Sequence, residues 1–234
     1  INRRLISSLA TYHFAPTYQN KKNLIKENFD EKKIFITGNT VIDAVKKILK
    51  SKIYNKKIIE FEKELSVDYK KTLILTLHRR EVFGKKLEII CNDIIKFVNL
   101  NPDYNIIIPI HPNPVIKNFI TKKFLHLKKN IKIIAPLSYP LFIYLCKSVS
   151  LILTDSGGVQ EESTILKKRI IVLRTVSERP EAKNYNIFMA PILKDNIYNL
   201  IIKTLKKKKI KKIKYFFENG NLTNKIVKII NKLI

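Results

Sequence analysis

Residues 72–77, 104–110, 131–134, 149–153 and 169–173 are short, almost unbroken apolar runs. The first four are followed by polar breaks and then by apolar positions at helical spacing, over residues 86–100, 115–127, 140–147 and 159–167. Strands covered on both faces need continuous apolar runs, whereas helices lying on a sheet need only one apolar stripe. The alternation predicts an α/β fold, a Rossmann-like parallel sheet with helices on both faces. Residues 187–190 offer a further strand, and residues 195–206 and 221–233 two further helices. Ahead of this block, residues 1–10 have helical spacing and residues 12–15 read as a strand ending at Pro16. Thr17 is placed to N-cap a polar helix reaching about residue 28. Residues 34–37 form another strand, Gly38-Asn39-Thr40 turns the chain, and residues 41–49 are an amphipathic helix. The stretch up to residue 71 is polar and Lys-rich and reads as a connection, so a domain boundary is expected near residues 39–50.

Parallel sheets bind ligands at the carboxyl ends of their strands. The polar motifs fall there: His78-Arg79-Arg80-Glu81, His111-Pro112-Asn113-Pro114, Asp155-Ser156-Gly157-Gly158 and Glu178-Arg179-Pro180-Glu181 each follow an apolar run. Two of the chain's four His lie on this rim, and two of its five Gly stand side by side in one motif. Ser156, Gly157 and Gly158 head a helix, where backbone N–H groups and the helix dipole can hold a phosphate. The plain alternative is an ordinary turn, which also favours Gly and Ser. Asp155 is expected to cap or brace the loop, because a second anion would repel a phosphate. Glu161 and Glu162 either complement the helix dipole or grip the vicinal hydroxyls of a ribose, and the residues alone leave both open. His78 beside Arg79, Arg80 and Glu81 suits acid–base work near neutral pH and neutralisation of a diphosphate. His111 reads equally as a ligand contact or a loop-shaping residue. His13 and His126 read as structural, and Phe142 as core with its turn facing the rim.

Composition adds limits. With 45% hydrophobic residues in 234, the chain can form one core, or one domain and part of another. The formal net charge of +27 suggests nucleic acid, but Lys is spread along the chain with Ile and Asn. The longest basic run, residues 206–209, lacks the interleaved aromatics of a single-strand binder, so no nucleic-acid partner is expected. There is no signal peptide and no apolar run of ~18 residues, so no membrane partner is expected and the cytoplasm is the expected compartment. Cys91 and Cys146 lie in apolar helical stretches without framework spacing and read as core thiols. The chain opens Ile1-Asn2-Arg3-Arg4 and its single Met is Met189, which suggests a fragment without its front.

Taken together, the motifs resemble the bacterial non-hydrolysing UDP-N-acetylglucosamine 2-epimerases. The resemblance rests on residues 34–44, on His78-Arg79-Arg80-Glu81 with Phe83-Gly84, on His111-Pro112-Asn113-Pro114, on residues 151–162 and on Glu178-Arg179-Pro180-Glu181, in that order along the chain. It implies two Rossmann-like domains facing across a cleft, the glycosyltransferase B arrangement. Here that means residues 1–38 as the remnant of the N-terminal domain, 39–70 as linker helix and connection, 71–206 as the C-terminal UDP-binding domain and 207–234 as tail and helix. The implied reaction inverts C2 of the sugar by eliminating and re-adding UDP, giving UDP-N-acetylmannosamine for surface polysaccharide such as enterobacterial common antigen. It implies no cofactor, no metal and a homodimer. Position by position it implies Ser156, Gly157 and Gly158 at the diphosphate, Glu162 at the ribose and Phe142 by the uracil. His78 becomes the catalytic-site residue, Arg79 and Arg179 support the nucleotide, and His111 lies near substrate or activator. The family's acid–base carboxylates lie in the N-terminal domain, the last in a Glu-Glu pair just before the segment matching Ile1-Asn2-Arg3. The chain alone is therefore expected to bind UDP without catalysing epimerisation. Two departures stand out: Leu77 replaces a usual Gly, and Glu218-Asn219-Gly220 replaces a Gly-Asp-Gly stretch. The donor-binding half of a glycosyltransferase and a non-catalytic remnant are the alternatives.

Overall fold

The computed structural model describes residues 2–51, 55–127, 129–174, 186–190, 196–207 and 221–233. They form two compact units, one holding the described residues of 1–47 and 214–234, the other those of 48–213.

In the first unit, helix α1 (Asn2–Leu9) precedes strand β1 (His13–Ala15) and helix α2 (Tyr18–Lys26), which Thr17 caps by accepting from the Asn20 N–H. Strand β2 (Ile34–Ile36) pairs in parallel with β1 and leads to helix α3 (Val41–Lys50). Gly38 lies between them at φ +78°, a left-handed conformation that glycine adopts without strain.

The second unit begins at Ile48, in the last turn of α3, and its first whole helix is α4 (Asn55–Leu65), where the sequence pattern suggested only a connection. Its Lys and Glu residues mask a sparse apolar stripe, of which Phe61 and Leu65 are buried. Then follow β3 (Thr72–Thr76), α5 (Lys85–Leu100), β4 (Asn105–Pro109), α6 (Pro114–Lys123), β5 (Ile131–Ile134), α7 (Tyr139–Ser148), β6 (Leu151–Thr154), α8 (Gly157–Ile165), β7 (Ile170–Val172), β8 (Ile187–Met189) and α9 (Ile197–Leu205). A last helix, α10 (Leu222–Leu233), belongs to the first unit. There the Thr223 N–H and hydroxyl both donate to Asp43 of α3, at 2.8 Å each.

The six strands β3–β8 are all parallel and lie in the order β5-β4-β3-β6-β7-β8. The chain builds outward from β3 to one edge, returns to β6 beside β3, and builds to the other edge. That is the Rossmann order, with its topological switch between β3 and β6. The central strands carry the unbroken apolar runs because helices cover both faces: Leu73, Ile74, Leu75, Ile152 and Leu153 are fully buried. Helix α5 contributes Leu87, Ile90, Cys91, Ile94, Phe97 and Val98 to the core from one face. Burying each large side chain of this kind stabilises the fold by roughly 2 kcal/mol. Among the described residues, no helix is long and apolar enough to cross a membrane.

Candidate functional site at the switch point

Thr76 and Thr154 are register partners at the ends of β3 and β6, and their hydroxyls meet at 2.6 Å. Beyond them the two chains part, and their next residues face each other across the switch point. Asp155 is fully buried there. Its Oδ2 accepts the backbone N–H groups of His78 and Arg79 at 2.9 and 2.8 Å. Its Oδ1 accepts no further hydrogen bond among the described residues and stands 2.7 Å from His78 Nδ1. Burial pushes the Asp155 carboxyl up, but the imidazole and the two backbone donors together outweigh it, and its pKa lies below the ordinary value. An ionised Asp155 therefore braces the opposite loop and orients His78, so both its oxygens are committed away from any bound anion.

Ser156 caps α8: its Oγ accepts from the Val159 N–H at 3.5 Å, and its own N–H donates to Thr154 Oγ1 at 3.0 Å. A hydroxyl that accepts at a cap still has its O–H to donate. Gly158, within the first turn, has no left-handed φ, and an added Cβ would meet nothing nearer than Ser156 Oγ at 3.9 Å. The backbone does not require glycine there, and glycine in a helix costs up to about 1 kcal/mol relative to alanine. Close approach of a ligand to the backbone is the remaining physical use for it.

These loops border an open cavity of about 270 Å³, whose walls include Leu77, His78, His111, Phe142, Ser156 and Val159. The His78 and His111 rings lie 6.1 Å apart. His111 also shapes its loop, since its Nδ1 accepts the Asn113 N–H at 3.2 Å. Both readings of His111 thus have a physical basis. Leu77, at the usual glycine position, is 4% exposed and packs into the main core, with one side on the cavity wall.

Glu162 lies on α8 beyond the cavity wall and is nearly buried. Its Oε1 accepts a 2.8 Å hydrogen bond from the Tyr139 hydroxyl. Burial raises the Glu162 carboxyl above its ordinary value, the Tyr139 bond pulls it partly back, and neighbouring Glu161 adds to the rise. Nothing in the motif pattern marked Tyr139, although it stands three residues before Phe142 on the same helical face. The Arg79 side chain extends toward Glu81, 3.9 Å away, and is not among the residues lining the cavity. Arg179 lies outside the described residues. The structure thus gathers His78, His111, Phe142 and Ser156 at one cavity and runs Gly157 and Gly158 on from its edge; Glu162, one helical turn past the lining residue Val159, is held by Tyr139.

Strand order and switch-point cavity define the class: a Rossmann-like α/β unit of the kind that binds nucleotides at its strand ends. A family model described as UDP-N-acetylglucosamine 2-epimerase matches residues 1–231, and the chain belongs to that family. A UDP-N-acetylglucosamine 2-epimerase of Salmonella borreze is 43% identical over 210 residues, covering 87% of this chain and 55% of the relative. A solved structure of the Neisseria meningitidis UDP-GlcNAc 2-epimerase bound to UDP-GlcNAc matches with a TM-score of 0.89 at 32% identity, over 99% of this chain and 64% of that one. The Methanocaldococcus jannaschii UDP-GlcNAc 2-epimerase, in complex with UDP-GlcNAc and UDP, matches with a TM-score of 0.86 at 38% identity, again over 99% of this chain and 64% of that one. The chain therefore spans roughly half to two thirds of the length of these relatives.

Proposed function

We propose that this chain supplies the UDP-binding part of a UDP-N-acetylglucosamine 2-epimerase, the C-terminal half of a glycosyltransferase B-type architecture. The observation that carries the reading is the pairing of His78 with buried Asp155 beside the N-terminus of α8, at the switch point of a chain that its family matches over residues 1–231. In this reading the first N–H groups of α8 and the Ser156 hydroxyl hold the diphosphate, with Gly157 and Gly158 allowing close approach. Asp155 holds the Nδ1 edge of His78, which leaves Nε2 to exchange a proton or a hydrogen bond with the departing UDP. Phe142 offers a face to the uracil, and Glu162 takes the ribose hydroxyls. His111 adds a polar group on the cavity wall, and the family resemblance assigns Arg79 and Arg179 to the nucleotide.

The reaction is inversion at C2 through elimination and re-addition of UDP. Loss of UDP from C1 and of the proton from C2 leaves a C1–C2 double bond, and return of UDP with a proton delivered to the opposite face gives UDP-N-acetylmannosamine. Binding the leaving group stabilises the charge that develops on it. The carboxylates that move the C2 proton belong to the N-terminal portion of the family's longer proteins, so this chain alone binds UDP and does not epimerise. In the whole assembly we assign it to a cytoplasmic homodimer whose product enters surface polysaccharide, as in enterobacterial common antigen. The epimerase family match weighs against the glycosyltransferase alternative.

The test is to incubate the chain with UDP-N-acetylglucosamine, alone and with an N-terminal domain from a relative, and follow the sugar by NMR. No epimer is expected from the chain alone, and UDP-N-acetylmannosamine from the combination. Epimer formed by the chain alone would overturn the division of labour. Sugar transfer to an acceptor without any epimer would overturn the reaction.

A further inference from the structure

We propose that Tyr139 is a positioning residue for ribose recognition: its hydroxyl fixes one oxygen of Glu162 so that the carboxylate meets the 2′- and 3′-hydroxyls of the nucleotide. The inference rests on the reading that the switch-point cavity takes UDP.

Tyr139 opens α7, with Pro140 following it in the first turn, so the backbone that carries it is conformationally restricted. Glu162 lies in the second turn of α8 with 7% of its surface exposed. The contact between them bridges two helices through residues 23 apart in sequence. Among the described residues Oε1 takes only this bond, and Oε2 accepts none. A carboxylate offers about four lone-pair directions on two oxygens. One is spent on Tyr139, which leaves room on both oxygens for a vicinal diol. Tyr139 and Phe142, three apart on α7, share a helical face, and Phe142 lines the cavity. Glu162 itself stands three residues past Val159, which also lines the cavity, so the bonded pair joins the two helices whose faces form that wall.

The Tyr139 bond also affects protonation. Burial and Glu161 both favour the neutral carboxylic acid at Glu162, and Tyr139 opposes them. Without the hydroxyl, the carboxyl would lose its anchor and hold its proton to higher pH. A protonated carboxyl has fewer acceptor sites for a diol.

The experiment measures affinities of UDP and 2′-deoxyuridine diphosphate by calorimetry across a pH series, for the wild-type chain, Tyr139→Phe and Glu162→Gln. The wild type is expected to prefer UDP by roughly tenfold or more, the worth of one charge-assisted hydrogen bond. Glu162→Gln should remove most of that preference at every pH. Tyr139→Phe should reduce it to within about threefold near neutral pH and recover part of it as pH rises and Glu162 ionises. A purely structural role for Tyr139 would weaken both nucleotides equally and leave the ratio unmoved. A wild-type ratio in Tyr139→Phe at all pH values would overturn the inference while leaving the nucleotide site standing. If the wild type binds neither nucleotide, the nucleotide reading fails, and the inference with it. Should Tyr139→Phe fold poorly, Tyr139→Leu removes the same hydroxyl with another apolar side chain, and its nucleotide ratio is read in the same way.

Discussion

Asp155 has no side-chain exposure, and three polar groups of the neighbouring loop converge on it. Replacing it by Ala leaves two backbone donors and the imidazole without their acceptor. A loss of about 3 kcal/mol in denaturant unfolding is expected, the range for hydrogen bonds to a charged group. The pH dependence follows from the direction of its shift. A carboxyl held below its ordinary value of 3.8 contributes stability that is present above that value and lost as pH falls through the lower folded value. An acid titration of stability should therefore show a component in the wild type, below about pH 4, that is missing in Asp155→Asn. Equal acid sensitivity in the two proteins would count against the ionised brace. The bracing role of Asp155 was legible in the sequence, because an anion beside a phosphate loop must spend its charge elsewhere. Its partner was not, since His78 lies 77 residues earlier, on the loop that follows β3, and only sheet pairing brings the two together. Tyr139 was illegible for the same reason. A contact between two helices leaves no periodic trace in either.

At the scale of elements, Thr17 was readable as the cap of α2, and it accepts the Asn20 N–H. Asn113 for α6 and Ser156 for α8 also accept a backbone N–H from the turn they open, so these helices start one and two residues ahead of the apolar periodicity. Helix α9 is capped from a distance. Asn196 makes no side-chain cap bond, and Asp93 of α5 instead accepts the N–H groups of Ile197 and Tyr198 at 2.8 and 3.1 Å. Asp93→Ala should cost about 1–2 kcal/mol, as the loss of an N-cap does, and thermal unfolding measures it. A smaller change than a few tenths of a kcal/mol would show that water replaces the carboxylate freely. Helix α4 escaped the pattern because its Lys- and Glu-rich sequence reads as solvated chain, and only packing shows which two apolar positions face inward. Gly38 shows the opposite case, a local signal with a distant cause. Its φ is left-handed, and an added Cβ would come within 2.9 Å of Leu222 at the start of α10. Both strain and collision then oppose Gly38→Ala.

At the scale of the molecule, the parallel sheet was legible from its strand runs, but its order was not. Local hydrophobicity does not say that β6 returns to the side of β3, and that return creates the switch point and its cavity. The net charge of +27 changed little, because it lies across the chain rather than at one site. Length matters more: the chain spans about half of its curated relative, and the proposed function gives it the nucleotide end of the reaction. The most direct measurement is a calorimetric titration of UDP into the wild-type chain and Gly158→Ala. An alanine there meets only an ordinary contact at 3.9 Å, so the fold should be as stable as before or more so. A diphosphate site at the N-terminus of α8 requires saturable UDP binding by the wild type and binding about tenfold weaker or more in Gly158→Ala, with unchanged or raised Tm. No binding by the wild type at millimolar UDP, or equal affinity in the two proteins, would contradict it.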